Sequence, residues 1–164
     1  MAISLKLALI LTLFSWIQPC SSNASEVPAH ERLRLENTFK FPEEVVNYYC
    51  ARDAEGFVWS GFLEAEREAF TLWSESPKQD SFYIAKKYSV SPHKLLSANE
   101  ATVNVTYSIA AIGDAQGSRL PAPEADMSVE FNLRKVNGSW KIYKPDASQV
   151  APVLLESRYP FHAL

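Results

Sequence analysis

The sequence predicts an α+β domain in which two N-terminal helices pack on the apolar face of a roughly four-stranded antiparallel sheet. Three observations carry this expectation. Apolar residues recur at helical spacing between positions 42 and 73, they alternate with a period of two between positions 82 and 142, and Asn137-Gly138 separates the last two alternating runs.

The final ribbon is the most explicit element. Met127, Val129, Phe131 and Leu133 alternate with Ser128, Glu130, Asn132 and Arg134, so one face of that strand is apolar. Asn137-Gly138 supplies the positive φ angles of a two-residue type I′ turn. That turn pairs Val136 with Ser139, Lys135 with Trp140 and Leu133 with Ile142, and the apolar residues of both strands then share a face.

Earlier in the chain, Pro42 suits the first turn of a helix, and Glu43 and Glu44 follow where the helix dipole favours negative charge. Val45, Val46, Tyr49 and Cys50 form its apolar face, Arg52 and Glu55 are expected in solvent, and Gly56 ends it. A second helix is expected over 62–73, with Phe62, Ala65, Ala69, Phe70 and Trp73 opposite Glu64, Arg67, Glu68 and Thr71. Ser74 to Asp80, with Pro77 inside it, stops that helix. The alternation of Phe82, Ile84, Tyr88 and Val90, broken only by Lys86, predicts a strand running on to Leu96. Val103, Val105, Tyr107 and Ile109 form the next strand, and a turn at Asn99-Glu100 would pair Leu96 with Val103 and Val90 with Ile109. Positions 113–125 read as a flexible connection, and 148–158 as a short helix interrupted at Pro152.

The first 24 residues read as a secretory signal. Lys6 precedes the apolar run Leu7 to Ile17, and Ser22-Asn23-Ala24 places small residues where a signal peptidase reads them, so cleavage is expected after Ala24. The run is shorter than the about 20 residues a spanning helix needs. A lipoprotein anchor at Cys20 is the lesser reading, because Pro19 stands where such signals carry a small residue. After the leader come a polar arm over 25–40, a domain over 41–148 and a C-terminal segment over 149–164 that packs on the domain or trails from it. The expected destination is the periplasm or the extracellular space.

Loss of Lys6 with the leader leaves 15 basic against 19 acidic residues, a net charge of −4 with histidine neutral. The basic residues are scattered, which argues against nucleic acid and anionic membranes as partners. Cys50 is then the only cysteine, so no internal disulfide forms. His30, His93 and His162 are far apart and no ligand spacing is present, so neither a metal site nor a cofactor is expected. Of the sequons at Asn23, Asn104 and Asn137, the first leaves with the leader.

A family resemblance rests on Pro42-Glu43-Glu44-Val45-Val46-Asn47-Tyr48-Tyr49, Ala54-Glu55-Gly56-Phe57, Trp73, Asp80, Tyr88-Ser89-Val90, the run from Ala101 to Tyr107, and the ribbon from Phe131 to Ile142. Together these resemble the nuclear transport factor 2-like superfamily, in particular secreted bacterial members of unassigned activity. The resemblance covers 42–144. It implies a strongly bent sheet wrapped around helices as a cone whose mouth often holds a ligand. Relatives include steroid isomerases, dehydratases, transport factors and subunit-pairing modules, so the shared fold does not fix a chemistry.

Candidate site residues follow from that geometry. Tyr48, Tyr49, Asp53, Tyr107 and Trp140 are the expected pocket residues. Asp53 is the candidate general base, with His93 or a tyrosine completing an acid–base pair. The plainer reading, which the sequence favours, makes Asp53 an exposed helix-end carboxylate and the tyrosines core or rim residues. Cys50 reads as a buried, inert thiol, and Trp59, Trp73 and Trp140 as core and rim anchors. Two functions from different classes stand: a non-enzymatic module binding a small apolar ligand or a protein, and an isomerase-like or dehydratase-like enzyme using a pocket carboxylate. Self-association through the sheet face is a further expectation.

Overall fold

A computed structural model describes residues 39–56 and 64–158. The expected leader, most of the expected arm, Trp59, Phe62, His30 and His162 lie outside the described residues. Two helices come first, α1 (Pro42–Ala54) and α2 (Glu64–Phe70). Strands β1 (Ser81–Val90), β2 (Lys94–Ser97), β3 (Glu100–Asp114), β4 (Arg119–Val136) and β5 (Ser139–Lys144) follow, then a 3₁₀ turn (Ala147–Gln149) and β6 (Val153–Leu155). The strands form one curled sheet in the order β5-β4-β3-β1-β6, with β2 also paired to β3. The fold is α+β, with helices packed in the curve of a cone-shaped sheet.

α1 begins as its residues require. Pro42 occupies the first turn, and the Glu44 carboxylate reaches back to accept from the Lys40 and Phe41 N–H groups at 2.8 and 3.1 Å, so donors without helical partners are satisfied. Val45, Val46, Tyr49 and Cys50 are all buried. Gly56, at φ +85°, closes the helix, and its N–H donates to the Asp53 carbonyl.

The β4–β5 ribbon has the register expected of it. Val136 pairs with Ser139, Lys135 with Trp140 and Leu133 with Ile142, around Asn137 and Gly138 at φ +52° and +85°. Phe131, Leu133, Trp140 and Ile142 are buried in the main core with Tyr49, Phe70 and Trp73. One face of the ribbon therefore covers the helices.

Several expectations need correction. The sheet has six strands among the described residues. The turn before β3 is Ala98-Asn99, with Ser97 facing Glu100, and Val90 pairs with Val105 where Ile109 was expected. β1 stops at Val90, and Leu95 and Leu96 on β2 are exposed. The cause is irregular pairing. Lys86 on β1 and Ala110 on β3 are extra residues in the β1–β3 ladder, and each bulge reverses which side chains face inward while sharpening the bend. Tyr83, Ala85, Tyr88 and Val90 consequently join the main core, whereas Phe82 and Ile84 meet Ala111 and Leu154 in a second, smaller cluster.

The 113–125 stretch is a hairpin and not a loose connection. Asp114 Oδ1 accepts from the Gln116 and Ser118 N–H groups at 3.0 and 2.8 Å, and those bonds hold the Asp114 carboxyl below its usual range. The 148–158 stretch contains β6, which runs parallel to β1 with Tyr83 opposite Val153. α2 ends at Phe70, three residues early, because the Leu72 N–H donates to the Ile142 carbonyl of β5. Arg67 and Thr71, placed on the solvent side by helical spacing, are buried.

Gly113 shows how tightly the smaller cluster is built. A Cβ there would lie 2.4 Å from Cε2 and Cζ of Phe82. Gly113→Ala is expected to cost about 1–3 kcal/mol of stability in urea unfolding, and Phe82→Leu in the same chain is expected to recover part of the loss.

Candidate functional site

The concave side of the sheet holds a cavity of about 190 Å³, lined by Tyr83, Tyr107, Met127, Val129, Phe131, Gln149, Val150, Ala151 and Val153. β1 contributes Tyr83, β3 contributes Tyr107, and the inward face of β4 supplies Met127, Val129 and Phe131. The remaining wall is the segment that leads into β6. None of these nine side chains is charged.

A buried polar cluster stands behind that wall. Tyr107 Oη lies 3.3 Å from Cys50 Sγ, and Asp53 is only 1% exposed. Asp53 Oδ1 accepts the Val153 N–H at 3.0 Å, while Oδ2 has no hydrogen-bond partner among the described residues. Burial raises the Asp53 carboxyl well above its ordinary range, against the lowering effect of the Val153 N–H. Burial likewise pushes the Cys50 thiol up to about 12 and raises the Tyr49 and Tyr107 hydroxyls, the Asp53 charge adding to each rise. Each of these shifts favours the protonated, neutral form of its group in an apolar setting.

Asp53 is thus buried, which corrects the exposed helix-end reading. β6 accounts for this, since it packs on α1 and its Val153 N–H is the carboxyl's one donor among the described residues. Arg52 is not left in solvent either. Its Nε and Nη2 donate to Glu66 at 2.7 and 3.1 Å, and Tyr48 Oη donates to the same carboxylate at 2.9 Å.

The sequence-derived residues therefore divide. Tyr49, Asp53 and Tyr107 come together around Cys50, and of these Tyr107 lines the cavity. Tyr48 is half-buried against Phe39 and Phe70, with ring centroids at 5.3 and 5.4 Å. Trp140 is buried in the core with Lys135 over its ring. His93 Nδ1 contacts Glu43 Oε2 at 2.5 Å. Glu43 and Asp53 are ten residues apart on α1, roughly 15 Å along its axis, so His93 is not brought to Asp53.

No protein family, curated protein or solved structure matches this chain. The geometry must carry the functional argument. No group of three or more His, Cys, Asp or Glu is placed to hold a metal ion among the described residues.

Sequence reasoning missed Tyr83, Gln149, Val150, Ala151 and Val153. Tyr83 was hidden by the bulge at Lys86, which reverses the facing of β1. The other four belong to a stretch whose composition suggested a helix. Met127, Val129 and Phe131 were legible as an inward face, though not as a cavity wall.

Proposed function

We propose that this domain is a binding module for a small, neutral, largely apolar molecule held in the mouth of the cone. The observation that carries the reading is a concave cavity with nine uncharged lining residues, three of them aromatic. An ion entering it would lose its water without a partner of opposite charge. Tyr83, Tyr107 and Phe131 favour a ring as occupant through edge and face contacts, and Met127 adapts to its outline. A buried cavity of about 150 Å³ is enough for one benzene ring, so about 190 Å³ suits one substituted ring.

Calorimetric titration with indole and phenol, against benzoate and benzylamine, tests the reading. The neutral probes are expected to bind with Kd on the order of 0.1–1 mM, the range for ligands of so few atoms. The charged probes should bind at least about tenfold more weakly, and Ala151→Trp should abolish binding by filling the space. Equal binding by all four, or by none, defeats the proposal. Asp53→Asn should leave affinity within a few-fold, since Asp53 does not line the cavity.

One observation favours a second reading, an isomerase-like or dehydratase-like enzyme. A buried carboxyl beside Tyr49, Tyr107 and Cys50 is the kind of group that enzymes tune for proton transfer. That reading needs Asp53 to reach the ligand, so turnover of a neutral ring ketone or alcohol that Asp53→Asn abolishes would establish it.

On the same reading the chain is a nuclear transport factor 2-like domain, which the order of helices and strands and the Asn137-Gly138 ribbon support. Export behind the leader, with cleavage after Ala24, and pairing of two copies through the outer sheet face belong to the same proposal. N-terminal sequencing of the protein from its host and sedimentation of the processed chain check them.

A further inference from the structure

The wall of the cavity opposite β4 is made by Gln149, Val150, Ala151 and Val153, a strap that ends in β6. It is lightly held. β6 has three residues and, among the described residues, pairs only with β1, through Tyr83, Ile84 and Ala85. Around it the Tyr83 N–H donates to the Pro152 carbonyl and the Glu156 N–H to the Ala85 carbonyl, both at 2.9 Å. The contact at its centre is of a different kind, because the Val153 N–H donates to the buried carboxyl of Asp53 at 3.0 Å. The second oxygen of that carboxyl is buried with no partner among the described residues.

We propose that Asp53 is a proton-sensitive pin for the strap from Gln149 to Leu155, holding this wall closed while its carboxyl is neutral and releasing it when the carboxyl ionises. A carboxylate in this position would leave one charged oxygen buried without a donor from the described residues, a state that costs several kcal/mol. The surroundings give it no relief. Tyr49 and Cys50 of α1 and Tyr107 of β3 are the titratable groups that feel its charge, and Tyr88 of β1 feels those of Cys50 and Glu55. All of these are acids, and no basic group among the described residues acts on Asp53. Arg52, its neighbour on α1, is turned to Glu66. From β6 comes only the Val153 N–H, and Glu156 beyond it is paired with Arg119. Ionisation is therefore relieved by letting water in, and the three-residue edge strand gives way more readily than α1 or β3.

That release opens a path for a ligand only if the binding reading above holds; the release itself stands apart from it. Hydrogen exchange of the intact chain, read by mass spectrometry from about pH 5 to about pH 9 and corrected for the intrinsic base-catalysed rate, tests it. Over this range the Cys50 thiol, held up to about 12, stays neutral. Segment 149–158 is expected to open more readily than β3 at every pH. Its opening equilibrium should rise with pH by up to about tenfold per unit, the limit for one ionisation. Asp53→Asn keeps an acceptor for Val153 and should remove the rise.

A rise that survives Asp53→Asn overturns the proposal, as does a strap that opens only together with β3. Should the variant not fold, a pH-independent strap in the unsubstituted chain overturns it equally. Indole binding without a pH-dependent strap defeats the pin and leaves the binding reading standing. A responsive strap with no probe bound does the reverse.

Discussion

Leu133→Ala is expected to lower the stability of the domain by about 2–5 kcal/mol, measured as a shift in the urea midpoint at unchanged slope. Leu133 is fully buried. It faces Ala101 of β3 on one side and Ile142 of β5 on the other, and it belongs to the core that also takes in Tyr49, Phe70 and Trp73. Truncation removes apolar area from that core and leaves a void that neighbours on two strands and a helix are too constrained to fill. Its neighbour provides the contrast. Arg134 points outward, with Nη2 3.0 Å from Glu100 and its guanidinium 4.6 Å over the Tyr143 ring, and Arg134→Ala should cost no more than about 1 kcal/mol.

Asp53→Asn is expected to stabilise the protein at neutral pH and to flatten its stability against pH. The sign follows from the direction in which burial moves the carboxyl. The folded state holds a proton that the unfolded chain gives up near the ordinary aspartate value of 3.8. Stability contributed by that proton is complete below 3.8 and is lost as the pH rises toward the raised folded value. The slope is up to about 1.4 kcal/mol for each pH unit. Asparagine has no proton to lose and keeps the acceptor for the Val153 N–H. Urea midpoints of the two chains should coincide most nearly in acid and separate as the pH rises, with the variant above. A variant that is less stable than the parent at neutral pH would show that Asp53 is charged and paired in the fold.

These two residues also show how far the sequence can be read. Leu133 was legible because turn chemistry and alternation agree at Asn137-Gly138, so its facing and its partner both follow from local rules. Asp53 was not legible, because its burial depends on Val153, a residue 100 positions later. β6 itself is three residues paired in parallel with β1, too short for alternation to mark it. The register of β1 failed for another reason. Counting by twos assumes unbroken pairing, and the extra residues Lys86 and Ala110 break it where the sheet bends. The cavity lies beside that bend. Its β4 wall could be read from alternation, while the Gln149 to Val153 wall follows only from long-range topology. Cys50 was read correctly as a buried thiol, but its contact with Tyr107 Oη spans 57 positions and has no local signal.

The account turns on whether the space inside the cone takes a neutral ring. The direct measurement is a chemical-shift titration of the protein with indole, following the methyl groups of Met127, Val129, Val150 and Val153, which line the cavity. Saturable shifts are expected at these methyls and not at Leu95 or Leu120, which are exposed and do not line it. Shifts spread over the exposed leucines, or none at the four lining residues, would contradict it.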